Sequence, residues 1–150
     1  MTDMPKTARF SLPLLATAQA QKEVTHNEAL TLLDALVHAA IEDGPIAAPP
    51  SSPAPGQCWL VGVGATGAWA GCDNMLAVRS EGGWRFVLPR PGLRLIRLAD
   101  GAWMRYHAGS WVAPAAIASP VGGVTIDSEA RSVIAALILL LKAQGLVNLG

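Results

Sequence analysis

The chain has 150 residues, and its 11 basic and 11 acidic side chains give a formal net charge of zero. This balance excludes the basic surface with which nucleic-acid-binding proteins collect phosphates, so we expect no nucleic acid partner. Charged residues make up 15% of the chain and hydrophobic residues 51%, which favours a protein that covers part of its surface with neighbouring subunits.

The first 24 residues are predicted to form an extended arm that becomes helical from about Ala16. Pro5 and Pro13 interrupt regular structure here, and few apolar positions recur with a helical period. A short apolar run in this segment resembles the core of a secretory signal, but Pro13 breaks it. We therefore expect an arm that is not cleaved.

A helix is predicted over residues 25–42, beginning at a capping box formed by Thr25 and Glu28. Asp34 and His38 lie one turn apart and are expected to pair on the helix surface. Apolar residues recur along one face, and a glycine followed by a proline ends the helix. The apolar face consists of Leu30, Leu32, Leu33, Leu36, Val37, Ala40 and Ile41.

The next segment changes from a connector to a series of short strands. Residues 45–56 contain five prolines, which predict an extended and semi-rigid connector. Between residues 57 and 112, short apolar runs alternate with turn residues, as is typical of an antiparallel β-meander. The predicted strands cover residues 58–63, 75–79, 84–88, 93–98 and 102–107, with a short piece around Trp111.

Four phrases of a glycine, a small residue and a tryptophan recur in this central region. We expect each to close a hairpin, because glycine reaches the backbone angles of tight turns and the aromatic residue begins the next strand. Most tryptophans are expected to build a small core. The alternative is that some aromatic side chains offer flat faces to sugar rings. The phrases begin at Gly67, Gly82, Gly101 and Gly109, and the candidate sugar-facing aromatics are Trp84, Trp103, Tyr106 and Trp111.

The last segment is predicted to be a linker followed by a helix over residues 128–144. Asp127 or Thr125 can cap this helix, and a glycine follows its end. Its apolar run, residues 133–141, is shorter than the ~20 residues that cross a membrane, so we expect no membrane insertion. Because a helix that is apolar all round needs cover on every side, we expect packing against copies of itself.

These elements predict an α+β fold. The predicted order is an N-terminal arm and helix (residues 1–44), a Pro-rich connector (45–56), a central antiparallel β-meander with Gly-x-Trp hairpins (57–112), and a linker with an apolar C-terminal oligomerisation helix (113–150).

No set of residues has the spacing of a known catalytic or metal site. Residues 62–67 match the dinucleotide fingerprint G-x-G-x-x-G, but turn-forming residues follow where a helix is required, so a hairpin loop is favoured. The histidines are scattered. Cys58 and Cys72 are interpreted as two small apolar residues rather than a disulfide. We expect no enzyme activity, no cofactor and no metal.

Two stretches of the sequence carry a family likeness. One covers residues 12–30 and includes Gln19-Ala20-Gln21-Lys22 and Thr25-His26-Asn27-Glu28; the other covers residues 55–71. Together they resemble a domain of unknown function of bacterial prophages and gene transfer agents, over about residues 12–112. Members of that family include head-spike and tail-fibre-associated virion proteins. In gene transfer agents, similar proteins form spikes on capsid vertices and help particles hold to capsular polysaccharide.

The resemblance implies a non-enzymatic virion protein of a phage-like particle: a homo-oligomeric head-spike base or adaptor that joins the capsid to a distal fibre and aids attachment to host surface polysaccharide. It would be assembled in the bacterial cytoplasm and lie on the particle surface. Expected partners are sister copies (a pentamer, with a trimer as the alternative), a capsid vertex protein, a distal fibre protein and capsular polysaccharide. The residues expected at contacts between copies are Leu30, Leu33, Val37, Ile134, Leu137, Ile138 and Leu141.

Two other functions remain open at this point. One is a carbohydrate-binding module for receptor recognition in a tail or spike fibre, which the aromatic residues of the central region would serve. The other is a small polysaccharide-cleaving enzyme, a hypothesis that rests on the implied virion context alone. The sequence contains no motif that is diagnostic of either function.

Overall fold

The computed structural model describes residues 5–15, 22–124 and 126–147. Helix α1 (Lys22–Leu36) and helix α2 (Ser128–Ala143) flank a β region in these residues. Its strands are β1 (Ala40–Ile41), β2 (Asp43–Ile46), β3 (Cys58–Val61), β4 (Leu76–Ser80), β5 (Gly83–Val87), β6 (Arg94–Arg97), β7 (Ala102–His107) and β8 (Ser110–Val112). The predicted α+β class is confirmed. The predicted helical turn after Ala16 and the predicted cap at Thr125 lie outside the described residues.

The strands divide between two sheets instead of forming one continuous meander. Sheet 1 has the order β1-β6-β7-β8, and sheet 2 has the order β2-β3-β4-β5. The pairs are antiparallel except at two edges, where β1 runs parallel to β6 and β2 runs parallel to β3. Only Glu42 separates β1 from β2. Residues 40–46 therefore pass directly from one sheet to the other and connect the two.

Helix α1 starts and ends earlier than the sequence predicts. Because it begins at Lys22, Thr25 lies within the helix, and the predicted capping box at Thr25 is wrong. The helix ends at Leu36, and His38 then takes a left-handed φ of 49°. Ala40 and Ile41 continue the apolar pattern of the helix, but they pair with sheet 1 instead. The predicted boundary at residue 44 falls inside β2.

The predicted strands of the central region are present, with small shifts at their ends. Three Gly-x-Trp phrases lie at the hairpins β4–β5, β6–β7 and β7–β8, as predicted. The fourth is an exception, because Gly67–Trp69 forms a 3₁₀ turn within the long connection from β3 to β4. Residues 47–57, most of the predicted connector, contain no helix or strand.

The two faces of sheet 2 take part in two separate cores. Side chains alternate along β3, so Leu60 and Trp59 point to opposite sides. The main core joins both sheets to α1 and consists of Ala35, Ala39, Ile41, Cys58, Leu60, Leu76, Val78, Leu95, Met104 and Trp111. The second core lies on the other face and consists of Trp59, Val61, Trp69 and Ala77, with Trp84 and Phe86 packed against it. All four residues of β3 are therefore buried.

Helix α2 is capped at its start and attached to sheet 1 at its end. The carboxylate of Asp127 accepts a hydrogen bond from the Ala130 amide at 2.8 Å, which confirms the predicted cap. After the helix, the Gly145 carbonyl accepts a hydrogen bond from the Trp103 amide at 3.1 Å. Gly145 has a φ of 65°, and a Cβ there would overlap the carbonyl oxygen of Gly101. This position therefore accepts only glycine.

We expect Gly145→Ala to detach the end of α2 from β7. The substitution combines left-handed strain of about 1–2 kcal/mol with a backbone clash that cannot relax within the contact. Gly64→Ala is the matched control, because Gly64 has a similar φ of 73° and no atom within 4 Å of its added Cβ. Hydrogen exchange should show faster exchange of the Trp103 amide in Gly145→Ala alone. Unchanged exchange there would show that the contact does not hold the helix.

Candidate assembly surfaces and binding sites

The N-terminal arm is a small hairpin instead of the predicted extended segment. The Thr7 amide donates to the Leu12 carbonyl at 2.9 Å, and the Leu14 amide donates to the Pro5 carbonyl at 2.8 Å. These hydrogen bonds join the two ends of residues 5–14 side by side. The hairpin can therefore be placed against α1 as a preformed unit.

Asp34 of α1 holds this hairpin. Its carboxylate accepts three hydrogen bonds of 2.8 Å, from the Thr7 hydroxyl and from the amides of Arg9 and Phe10. Asp34 is only 3% exposed, so the predicted surface pair of Asp34 with His38 is wrong. A buried carboxylate is stable here because backbone and hydroxyl donors replace the water that it loses.

The side chain of Arg9 closes the C-terminal end of α1. Its guanidinium donates to the carbonyls of Asp34 at 3.2 Å, Ala35 at 2.9 Å and His38 at 3.1 Å. The last carbonyls of a helix lack intrahelical hydrogen-bond donors and carry partial negative charge. A guanidinium supplies both the donors and a positive charge. Asp34 and Arg9 thus bind the hairpin and the helix end to each other.

The Thr-His-Asn-Glu segment serves the same structural purpose. The Asn27 side chain accepts from the Leu15 amide and donates to the Leu15 carbonyl, both at 2.9 Å. Glu28 forms an ion pair with Arg85 of β5 at 2.7 Å. Asn27 therefore fixes the arm to α1, and Glu28 connects α1 to sheet 2. Sequence reasoning missed both roles, because the partners lie 12 or more residues away.

A cleft of about 380 Å³ lies between the hairpin, α1 and the β4–β5 turn. Its charged lining residues include Arg9, Glu28, Asp34 and Arg85. Each of these four side chains already has a partner within the chain, as described above. These four side chains therefore connect elements of the fold to one another.

The glycine-rich loop at residues 62–67 binds a carboxylate of its own chain. Asp73 accepts hydrogen bonds from the amides of Gly64 at 2.9 Å and Ala65 at 3.1 Å. These amides, first Gly64 and then Ala65, hold the pKa of Asp73 below its ordinary value. The loop is followed by a three-residue 3₁₀ turn, which lacks the helix of a dinucleotide site. These residues lie in the connection between the antiparallel strands β3 and β4, which agrees with the predicted hairpin loop.

Acid should release this loop. Because the pKa of Asp73 is lower in the folded chain, its stabilising effect is complete above the unfolded pKa of about 3.9 and is lost as the pH falls through the lower folded value. NMR should therefore show the Gly64 and Ala65 amide signals moving below about pH 4. Asp73→Ala should remove that movement, while Asp43→Ala, at another exposed carboxylate, should leave it unchanged. Signals that move equally in Asp73→Ala would contradict the assignment.

The tryptophans are mainly structural. Trp59, Trp69 and Trp111 are buried, and the Trp111 indole donates to the Asn74 carbonyl at 2.9 Å. Trp84 is half-buried and stands edge-on to Trp59 and Trp69, with ring centroids 5.7 and 5.1 Å apart. The prediction that most tryptophans form a core is confirmed.

The four candidate sugar-facing aromatics do not form a common surface. Trp111 is buried, so its proposed exposure to sugar is wrong, and Tyr106 packs against it at 5.3 Å. Trp84 belongs to sheet 2, whereas Trp103 lies on sheet 1. Trp103 is 44% exposed and is the member of the set that solvent reaches best.

The predicted contact residues of the helices differ in exposure. On α2, Ile138 is buried and Leu141 is half-buried, whereas Ile134 and Leu137 are exposed. On and after α1, Leu30 is half-buried, and Leu33 and Val37 are exposed. Further large apolar side chains are exposed in and beyond α2: Val133, Leu139, Leu140 and Leu146. Both helices thus present exposed apolar side chains.

The cysteines are both reduced, and Cys58 is buried while Cys72 is half-buried. Burial raises the pKa of the Cys58 thiol to about 11, so it is a poor nucleophile at neutral pH. Within residues 5–15, 22–124 and 126–147, no group of three or more His, Cys, Asp or Glu side chains could hold a metal ion. In the same part of the chain, no helix combines the length and apolarity needed to cross a membrane.

Part of the sequence matches the model of a known protein family. Residues 26–112 match the model of DUF2793, a protein family of unknown function. Because the match spans more than half of the chain, this protein belongs to that family. A search of curated proteins found no match. The matched region extends from α1 to the end of β8, so the linker and α2 lie beyond it.

Proposed function

We propose that this protein is a structural component of a phage-like particle, the homo-oligomeric base or adaptor of a head spike. The observation that carries the proposal is the exposed apolar surface of α2, which includes Val133, Leu137 and Leu140. Contiguous exposed apolar patches mark interaction surfaces in soluble proteins. Sister copies of the chain would cover this one.

The folded body supports a scaffold role. Asp34, Arg9, Asn27 and the Glu28–Arg85 pair all connect one element to another. Such fastenings make the arm, α1 and sheet 2 a stiff unit, which suits a part that transmits load between a capsid and a fibre. Because each of these groups already has a partner within the chain, we expect no catalytic role for them.

The virion setting of the proposal rests on the sequence likeness of residues 12–30 and 55–71 to head-spike and tail-fibre-associated proteins. In that setting the ring would occupy a capsid vertex as a pentamer, or carry a fibre as a trimer. Its partners would be a capsid vertex protein and a distal fibre protein. Assembly would take place in the bacterial cytoplasm, and attachment to capsular polysaccharide would be aided through the fibre.

Analytical ultracentrifugation and native mass measurement of the full chain test the oligomer. We expect one discrete species larger than a monomer. Leu137→Glu with Leu140→Glu should dissociate it, because the exposed apolar face would then carry charge. Val63→Glu is the control, since Val63 is an exposed apolar residue away from α2 and its replacement should leave the assembly intact. A wild-type chain that stays monomeric would overturn the proposal.

Imaging of particles tests the location. A tag on this chain, followed by electron microscopy of purified particles, should place density at capsid vertices. Density at the tail tip would support a receptor-recognition module of a tail fibre, which is the alternative function. Particles that lack the chain would contradict a virion role.

The alternative is a carbohydrate-binding module, and the exposure of Trp103 is the observation in its favour. A glycan array should separate the two functions. Binding that is lost in Trp103→Ala, with the fold intact, would favour the module, whereas the absence of binding by the oligomer would favour the adaptor.

A further inference from the structure

One face of sheet 1 lies outside the main core. The side chains on this face stand in rows across neighbouring strands. Leu95 and Met104 point into the core, so the residues next to them along β6 and β7 point outward. Arg94 lies opposite Arg105, and Ile96 lies opposite Trp103. Val112 of β8 extends the arginine row. We call these five residues, Arg94, Ile96, Trp103, Arg105 and Val112, the arginine face.

The two arginines of this face lack a counter-charge in the described chain. Both are exposed, and like charges directly opposite each other on a sheet destabilise it. Among residues 5–15, 22–124 and 126–147, neither guanidinium makes an ion pair or a hydrogen bond. Arg97 on the same strand differs, because Asp100 binds it at 2.6 Å. The arginine face is therefore suited to an anionic partner from outside the chain.

Helix α2 presents a surface of the opposite character. Glu129, Val133, Leu137 and Leu140 recur at intervals of four, four and three residues, so they lie along one side of the helix. The buried Ile138 lies elsewhere on the helix, and the three apolar residues are exposed. We call these four residues the α2 face. Asp127 caps the helix at its acidic end, and hydrogen bonds from the backbone of Glu129 and from Ser128 lower the pKa of Glu129.

The spacing of the two faces matches. Along α2, Glu129 precedes Val133 by about 6 Å, at 1.5 Å per residue. Along β7, Arg105 follows Trp103 by about 6.7 Å, at two residues of an antiparallel strand. An apolar contact between Val133 and the Ile96–Trp103 row would therefore place Glu129 beside Arg94 and Arg105.

The chain cannot make this contact with its own helix. The C-terminal end of α2 is attached to Trp103 through Gly145. Glu129 lies 16 positions before Gly145, about 24 Å away along a helix. The helix of a second copy is free of this restraint.

We propose that the α2 face of one copy docks on the arginine face of the next. This inference rests on the proposed homo-oligomer and specifies its interface. Because two different surfaces meet, the contact is heterologous, and repeating it closes a ring when the rotation allows. Carboxylates meet guanidiniums at one end of the contact, and leucines and valine meet isoleucine and tryptophan at the other.

Charge exchange between the faces tests the proposal. The sheet variant carries Arg94→Glu and Arg105→Glu. The helix variant carries Asp127→Asn and Glu129→Lys, in which the asparagine keeps the helix cap. Each variant should weaken self-association at least about tenfold in sedimentation over a concentration series. A chain with all four substitutions should recover part of the lost self-association, because one positive charge on the helix then faces two negative charges on the sheet. Arg90→Glu, at an exposed arginine outside the face, is the control and should change nothing.

The outcomes separate the levels of the proposal. A monomeric wild type overturns the homo-oligomer itself. A wild-type oligomer that both variants retain, or a four-substitution chain that associates no better than either variant, overturns this interface alone. Binding to a uronic-acid polysaccharide that the sheet variant loses, with its oligomer unchanged, would show that the arginine face reads a glycan and would also overturn the interface. Circular dichroism of each variant confirms that loss of association is not loss of fold.

Discussion

Replacing Asp34 with alanine is expected to detach the N-terminal hairpin from α1 and lower the free energy of unfolding by about 3 kcal/mol. The carboxylate accepts three hydrogen bonds, from the Thr7 hydroxyl and the amides of Arg9 and Phe10. All three donors lose their acceptor together, and a donor left unsatisfied in a buried or partly buried place costs more than its hydrogen bond contributed. Urea denaturation measures the change, and hydrogen exchange over residues 5–15 locates it.

Two further variants make the Asp34 prediction specific. Asp34→Asn keeps one oxygen acceptor, so its cost should fall between those of wild type and Asp34→Ala. Glu81→Gln changes an exposed carboxylate on the β4–β5 turn and should have no measurable effect. If Asp34→Ala unfolds at the same urea concentration as wild type, with residues 5–15 still protected, the hairpin is held by other contacts.

The second large effect is expected at Trp69. Its side chain is 0% exposed in the second core, so Trp69→Ala leaves a cavity under the loop that follows β3. Truncations of this kind cost about 3–5 kcal/mol. Among the described residues, the Trp69 indole N–H has no hydrogen-bond acceptor, so the loss comes from packing alone. Chemical denaturation measured at low protein concentration gives the value for the isolated chain.

Trp103→Ala provides the matched comparison for Trp69→Ala. Each of the two tryptophans ends its own Gly-Ala-Trp phrase, yet Trp103 is 44% exposed. Its truncation should cost clearly less than that of Trp69, since almost half of its side chain already contacts solvent and no enclosed cavity is left. Equal losses at the two positions would mean that the second core contributes no more than a surface side chain. Trp69→Phe should fall between them, because the smaller ring fills part of the cavity.

The segment Thr25-His26-Asn27-Glu28 has a structural explanation in these contacts. Asn27 and Glu28 are exposed enough to suggest binding residues in a sequence, but they hold Leu15 and Arg85 of their own chain. These two residues therefore connect the arm, α1 and sheet 2 to one another. The surfaces that we propose for partners are the α2 face and the arginine face, and α2 lies beyond the region of the DUF2793 match.

Local patterns were sufficient for the hairpins and for α2. Strand β7 has the predicted bounds, and Asp127 caps α2 as predicted. In both places the signals lie within a few residues of one another. They are a glycine at a turn, alternating side chains along a strand, and a carboxylate that accepts a hydrogen bond from the amide three residues later. The residues that make such short-range interactions are close together in the sequence, so a single sequence is sufficient to predict them.

The sequence by itself therefore determined the α+β class, the antiparallel hairpins, the capped last helix and the structural use of most tryptophans. Only the tertiary structure decided that Ala40 and Ile41 leave the helix to pair with β6, that Asp34 is buried under the arm, and that Arg94 and Arg105 stand side by side. Each of these depends on residues more than 10 positions apart. Their local propensities are ambiguous, and the free energy of pairing and burial between distant segments determines the outcome.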